Sequence, residues 1–296
     1  MDSLPPSPRS IDREQILRAA ASLGVVGGGP HSAPRIMAAL CRPAVEAAEV
    51  AGLIGQEPAL YARVLRVANS PFYGQRRAIT TLDRAVVVLG LEAVRGVAAA
   101  ACLDRTLPRG QRHPLVDLKL VVQHSLATAS AAEALARIGK PALASEAFIA
   151  GLLHNLGILV QMKLDGPGVE AIVHLRAGDD QREMRTLETE RSTVGHEECI
   201  AVIFEEWQLP ESLIAAARDH HDPMAAPPAH RDLAALVNLG ATLGLAAGST
   251  FTLEPSPPPR SLAAMAWLGV EDAQLDAIAI ELPARVTELR QRLLDG

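Results

Sequence analysis

Apolar residues recur three and four positions apart along nearly the whole chain, and no stretch of useful length alternates strictly between apolar and polar. That is the period of helices packed through one face, so the pattern predicts an all-α protein. In the first part of the chain the spacing predicts helices over about 11–23, 34–41, 44–55, 58–68, 81–90 and 92–103. In the second part it predicts them over about 114–138, 145–156, 168–176, 194–207, 210–220 and 231–247.

Breakers divide the pattern. Residues 1–10 form an expected disordered tail, and Ser10 is the expected cap of the first helix. The GVVGGGP run at 24–30 interrupts that helix, because three consecutive glycines lose too much backbone freedom on becoming helical. Pro43 and Pro58 sit near helix starts, NSPFYGQRRAIT at 69–80 reads as a loop, and Thr81 is positioned to cap the next helix. PRGQRHP at 108–114 is the strongest internal boundary, and PSPPPR at 255–260 reads as a stiff linker into a short pair of helices. The expected organisation is therefore a tail (1–10), a helical lobe (11–108), a second helical lobe (113–250), and a linker with C-terminal helices (255–296).

With 296 residues and 49% hydrophobic content, the chain can bury a large core. The formal net charge of -6 and the presence of only three lysines, Lys119, Lys140 and Lys163, argue against a nucleic-acid or anionic-membrane partner. An aromatic content of 3% leaves little for stacking on bases. Cys41, Cys102 and Cys199 are odd in number, widely spaced and without a CxxC pair, which fits a reduced cytoplasm. The N-terminus carries no apolar signal core, so a cytoplasmic location is expected. Residues 233–253 are uncharged over a membrane-spanning length, yet they contain Asn238, Ser249, three threonines and three glycines. A core helix ending near Gly244 or Gly248 accounts for them, and no membrane span is expected.

Five of the nine histidines lie in apolar helical surroundings: His124 in VVQHSLA, His154 in GLLHNLG, His196 in TVGHEEC, and His220 with His221 in RDHHDP. Taken singly, each reads as a satisfied core or surface residue. As a set on separate helices they are candidates for one centre, since neutral imidazole binds zinc, iron and manganese and ligands converge from different helices of a bundle. Glu190 and Glu197 flank His196 as hydrogen-bond partners or bases. The loop residues Asn69, Ser70, Phe72 and Tyr73, with Arg76 and Arg77 after them, form either an interaction loop or a packed turn, and packing is the favoured reading. Trp207 and Pro210 read as packing at a helix junction, and GGG at 27–29 lacks the ending of a phosphate loop.

Several longer stretches resemble the HDOD domain of bacterial signalling proteins: LYARVLRVANSPFYG at 60–74, TTLDRAVVVLGLEAVR at 80–95, HSLATASAAEALA at 124–136, EAFIAGLLHNLGILV at 146–160 and ERSTVGHEECIAVIFEEWQLPESLIAAARDHHDP at 190–223. The resemblance covers about 13–250 and implies two helical lobes, the second shaped like the HD phosphohydrolase bundle. An active HD enzyme holds one or two divalent metals on a first His, a His-Asp pair and a later Asp. Those positions fall here on His124, His154-Asn155 and Ala241. Asparagine offers a neutral oxygen and alanine offers none, so the resemblance implies a degenerate pocket of His124, His154, Asn155, His196, His220, His221 and Ala241 without catalysis.

No cofactor is expected, and the exception would be one weakly held divalent metal on His124, His154 and His221, with Asp219, Asp222 or Asp232 filling in. The resemblance implies a non-catalytic regulator that contacts a signalling protein in cyclic-di-GMP, motility or two-component circuits. A metal-dependent phosphohydrolase and a nucleotide-sensing module are the alternatives. No receiver, kinase or cyclase sequence is attached, so a stand-alone module is expected.

Overall fold

The computed structural model describes residues 11–23, 33–40, 46–75, 77–106, 116–192 and 194–293. Among them the regular structure is helical, and the only pairing of extended backbone is an isolated bridge between Phe251 and Glu254. The first part contributes α1 (Arg13–Ser22), α2 (Ala33–Leu40), α3 (Ala47–Gly55), α4 (Pro58–Ala68), α5 (Leu82–Leu89) and α6 (Leu91–Thr106). The second contributes α7 (Leu118–Gly139), α8 (Ala144–Leu153), α9 (Leu156–Leu164), α10 (Gly166–Ala177), α11 (Met184–Arg191), α12 (His196–Glu206), α13 (Glu211–Asp219) and α14 (Arg231–Ala246). Two helices follow, α15 (Leu262–Leu268) and α16 (Asp272–Leu293).

Helix α7 is the axle. It is buried on almost every side from Val121 to Ala136, and α8, α14 and α16 pack around it. Its Ala, Ser and Thr side chains let neighbours come close. A Cβ on Gly151 of α8 would lie 2.8 Å from the Ala129 Cα, and one on Gly157 of α9 would lie 2.0 Å from the His196 carbonyl oxygen. The two glycines of GLLHNLG therefore set α8 against α7 and α9 against α12, with His154 between them. Helices α2 to α6 pack among themselves, and α6 joins them to the second group through α8. Helix α1, placed by the sequence in the first lobe, packs instead on α9 and α12, where Arg13 pairs with Glu205.

Several expected elements change. The first helix is capped by Asp12, which exchanges hydrogen bonds with Gln15 in a capping box. Thr81 occupies the cap position of α5 without a side-chain bond. The single helix expected over 145–156 is two helices with a turn at His154-Asn155, because α8 follows α7 while α9 turns to follow α12. Helix α11 was not expected: its sequence MRTLETER buries only Met184, Leu187 and Glu188, too few for a visible stripe. The last helix is not short but runs 22 residues through Pro283. A proline inside a helix costs about 3 kcal/mol, whereas burying an aliphatic side chain contributes about 1.5–3 kcal/mol. Leu275, Ile278, Leu282 and Val286 are all buried on this helix, so packing outweighs the proline.

The expected tail 1–10 with Ser10, the glycine break at 24–30, the boundary at 108–114 and Arg76 lie outside the described residues. Among the described residues one run, Pro141–Leu164, is long and apolar enough to cross a membrane; 83% of its most apolar window is buried, and the turn between α8 and α9 divides it. The uncharged stretch at 233–253 is mostly the core helix α14, which ends at Ala246 just before Gly248.

Candidate metal centre

Five imidazoles meet inside the second lobe. His124 comes from the middle of α7, His154 from the end of α8, His196 from the first position of α12, His220 from the end of α13, and His221 follows it. Ring centroids lie 5.3 Å apart for His124–His154, 5.1 Å for His154–His220, 5.2 Å for His196–His220 and 4.3 Å for His220–His221. The exposures are 0% for His124, 1% for His154 and His196, and 2% for His220; His221 is half-buried.

Polar groups buried this deeply need partners. Nδ1 of His124 lies 3.1 Å from the Ser249 carbonyl, Nδ1 of His154 lies 2.7 Å from the Gly151 carbonyl, and Nδ1 of His220 lies 2.9 Å from the Ala217 carbonyl. A carbonyl only accepts, so each Nδ1 carries the proton and each Nε2 carries a lone pair. His196 differs, because its Nδ1 donates to the Glu188 carboxylate at 2.8 Å. The same oxygen accepts from the His196 backbone N–H at 3.1 Å and from Gln161 Nε2 at 2.6 Å. Nε2 of His196 lies 3.2 Å from Nε2 of His220 and 3.3 Å from Nε2 of His221.

Protonation is set by these partners. Burial lowers His124 to about 4, only partly opposed by its bond to Ser249. Burial, then the charge of neighbouring imidazoles, lowers His220 to about 3 and pushes His154 and His221 well down. Burial would lower His196 as well, but Glu188, with Glu197 and Glu254, outweighs it and raises this group to about 9. Glu254 is raised to about 7 by burial, against the pull of His196.

The remaining sequence candidates separate. Asn155 is buried beside His154, and its Nδ2 has no hydrogen-bond partner among the described residues. Asn238 donates to the His220 carbonyl at 2.8 Å, and a Cβ on Gly244 would lie 3.6 Å from His124 Nδ1. Ala241 is one turn from each and falls on the face between them. Glu197 accepts from the His221 N–H at 3.4 Å, whereas Glu190 is on the surface, bonded to Arg182 at 2.8 Å. Asp232 is engaged elsewhere by Lys140 and Trp267, and Asp222 faces Arg185 at 3.7 Å.

Three residues of the centre were missed by sequence reasoning. Glu188 lies on the unexpected helix α11. Phe251 stacks against His124 with centroids 5.2 Å apart, and Glu254 places one oxygen 3.7 Å from His124 Nε2 and the other 3.9 Å from His221 Nε2. Neither α11 nor the segment after α14 carried a periodic signal.

The NSPFYG loop is tied down from within. Asn69 donates to the carbonyls of Leu65 and Ile79 at 2.8 Å and accepts from the Ile79 N–H at 2.7 Å, so it acts as a clamp across the loop. Tyr73 lines a cavity of about 260 Å³ between the first group of helices and α7–α8, together with Arg95, Arg137 and Phe148.

A profile of the HDOD domain matches residues 29–223. The chain belongs to the HDOD domain family. It is 28% identical over 238 residues to an uncharacterized protein of Treponema pallidum (strain Nichols), covering 78% of this chain and 45% of the other. It thus spans about half the length of that curated relative. The crystal structure of a candidate signal transduction protein from Marinobacter aquaeolei VT8 matches with a TM-score of 0.75 at 23% identity, over 97% of this chain and 67% of the other. That of a candidate phosphohydrolase from Shewanella amazonensis SB2B matches with a TM-score of 0.68 at 20% identity, over 94% of this chain and 98% of the other. What is shared at these identities is the fold.

The HDOD fold brings the expectation of an HD-type metal to a testable point. The positions that the resemblance assigns to HD-type ligands carry two imidazoles, the neutral amide of Asn155 and the methyl of Ala241. That set lacks the carboxylates that anchor and bridge such metals, and it does not fit them. His196, His220 and His221 do fit a single ion, since their donor atoms all lie within 4.8 Å of one another. This set differs from the expected triad of His124, His154 and His221: Nε2 of His124 lies 3.4 Å from the Thr128 hydroxyl and 3.7 Å from a Glu254 oxygen.

Proposed function

We propose that this HDOD protein is a non-catalytic regulator in bacterial signal transduction, acting by docking a signalling protein in a cyclic-di-GMP, motility or two-component circuit. One observation carries the reading: the HD positions hold Asn155 and Ala241, and the imidazoles beside them are closed off, with four of the five at 2% exposure or less. Hydrolysis needs a phosphodiester to reach an activated oxygen, and a centre buried this deeply offers it no access. A divalent ion held by His196, His220 and His221 would supply Lewis-acid polarisation. The groove lined by Tyr73, Arg95, Arg137 and Phe148 is the surface we assign to partner contact.

The retained histidines favour a second reading, a metal-dependent phosphohydrolase. The deciding experiment incubates the full chain with bis(p-nitrophenyl) phosphate and with cyclic dinucleotides, in the presence of Mn²⁺, Fe²⁺ or Zn²⁺. The expected result is no turnover above that of a His154→Ala variant. Turnover that disappears in that variant would establish the enzyme reading instead.

A further inference from the structure

We propose that residues 249–256, the segment after α14, form an autoinhibitory strap: they cover the histidine centre and swing away from it as one unit while the core of the lobe stays packed. The inference goes beyond the regulatory reading and holds whether or not the protein turns over a substrate.

The strap meets the centre chiefly at His124. The Ser249 carbonyl lies 3.1 Å from His124 Nδ1, and the Phe251 ring lies on the imidazole with centroids 5.2 Å apart. Glu254 sets one oxygen 3.7 Å from His124 Nε2 and the other 3.9 Å from His221 Nε2. Both ring nitrogens of His124 thus face the strap, and anything that is to reach them from this side must displace it.

The segment is a structural unit of its own. Phe251 and Glu254 close on each other through two backbone hydrogen bonds, of 3.2 and 3.0 Å, which make a tight loop. Its buried apolar side chains, Phe251 and Leu253, pack with Val121, Ile172, Met184 and Leu187 in a small cluster separate from the main core, to which Leu126, Leu153 and Leu243 belong. Such a satellite cluster opens at a lower cost than global unfolding. Gly248, at φ +89°, makes the left-handed turn that leads out of α14 into the strap. At the other end PPPR at 257–260 is stiff, and Arg260 holds Asp272 and Asp276 of α16 at 2.6 and 2.5 Å, so the strap is coupled to the C-terminal helices.

The latch is Arg176 of α10. Its Nε donates to the Leu253 carbonyl at 2.9 Å, while Nη1 donates to the carbonyls of Asp180 and Arg182 at 2.7 Å each. The Ser256 hydroxyl donates to Gln181 Oε1 at 2.8 Å. These bonds tie the strap to the loop after α10, whereas the Glu254 contacts on the imidazoles are longer than hydrogen bonds. Losing the latch therefore frees the strap without touching the helices that carry His124 and His154.

The test treats the full chain with diethyl pyrocarbonate, which modifies unprotonated imidazole, and follows each histidine by peptide mass mapping. In the unaltered protein His124 is expected to react far more slowly than His174, which is exposed on α10. Arg176→Gln is expected to speed the reaction at His124 about 10–100-fold, as loss of a hydrogen bond from a charged group allows. Phe251→Ala, which removes the ring lying on His124, is expected to speed it further. N-ethylmaleimide labelling of Cys199, a fully buried member of the main core, reports global loosening in the same maps and is expected to stay unchanged. If Phe251→Ala does not fold, Arg176→Gln decides. Equal rates at His124 and His174 in the unaltered protein would mean that the centre is not covered. An unchanged His124 rate in folded Arg176→Gln would mean that the strap is not the barrier, and labelling of Cys199 in step with His124 would mean that it is not a separate unit; each of these overturns the proposal. Phosphodiester turnover, measured separately, bears on the regulatory reading alone.

Discussion

At one end of the histidine centre His196 is buried against Glu188; at the other, His124 and His154 are just as buried but are tied to backbone carbonyls. The residue type and the depth are the same, yet His196 stays protonated to about 9 while His124 gives up its proton near 4. Burial by itself strips an imidazole of charge, because the low-dielectric interior penalises the ion. One carboxylate at 2.8 Å reverses that outcome, and a carbonyl at 3.1 Å does not. The lesson is that a histidine's role is set by the acceptor at its Nδ1.

The largest expected effect is on the charged end. Glu188→Ala removes the acceptor of the His196 ring, the His196 N–H and Gln161 together, and should cost about 3–5 kcal/mol in urea unfolding, as breaking a buried ion pair does. A loss under about 1 kcal/mol would erase the contrast between the two ends. Next comes the helix crossing that places His196. In Gly157→Ala the new methyl meets the His196 carbonyl at 2.0 Å, so α9 and α12 must part, at about 1–3 kcal/mol or more in the same measurement.

The pH dependence of metal-stripped protein separates the ends by sign. His196 is raised from 6.5 to about 9, so its contribution is complete below 6.5 and is lost as pH rises through 9. That contribution is on the order of 3 kcal/mol. His124 and His220 are lowered to about 4 and about 3, so their contribution is present above 6.5 and is lost as pH falls toward those values. Unfolding midpoints measured from pH 4 to 10 should therefore decline on both sides, and Glu188→Gln should flatten the alkaline side alone. An unchanged alkaline side would mean that Glu188 is not what holds the proton.

The smallest effect serves as the control. Glu190 meets Arg182 at 2.8 Å, the separation seen between Glu188 and His196, but on the surface. Water screens such a pair, so Glu190→Gln should leave the midpoint within error. A clear loss there would show that distance matters more than burial.

Much of the fold was legible in the sequence because helical periodicity is local: α4 spans the expected 58–68, and the long α7, α12 and α14 appear within a few residues of where the apolar stripe put them. His124 and His154 stood out for the same reason, each being a polar residue inside an apolar run. Glu188 did not, since α11 buries only three of its eight residues, and Glu254 did not, since it lies beyond α14 in a segment without periodicity. The turn at His154-Asn155 was hidden because the flanking helices are apolar on both sides of it, and the path of α16 through Pro283 was hidden because the compensating burial is tertiary. The sequence by itself determined the helical class, the HDOD resemblance and the identity of the imidazoles. The tertiary structure decided which imidazoles share a centre, which one is charged, and which carboxylates reach them. Spacing along a helix states which way a side chain faces, whereas a proton or a metal responds to distances between residues as far apart as His124 and Ser249, which only the packed fold sets.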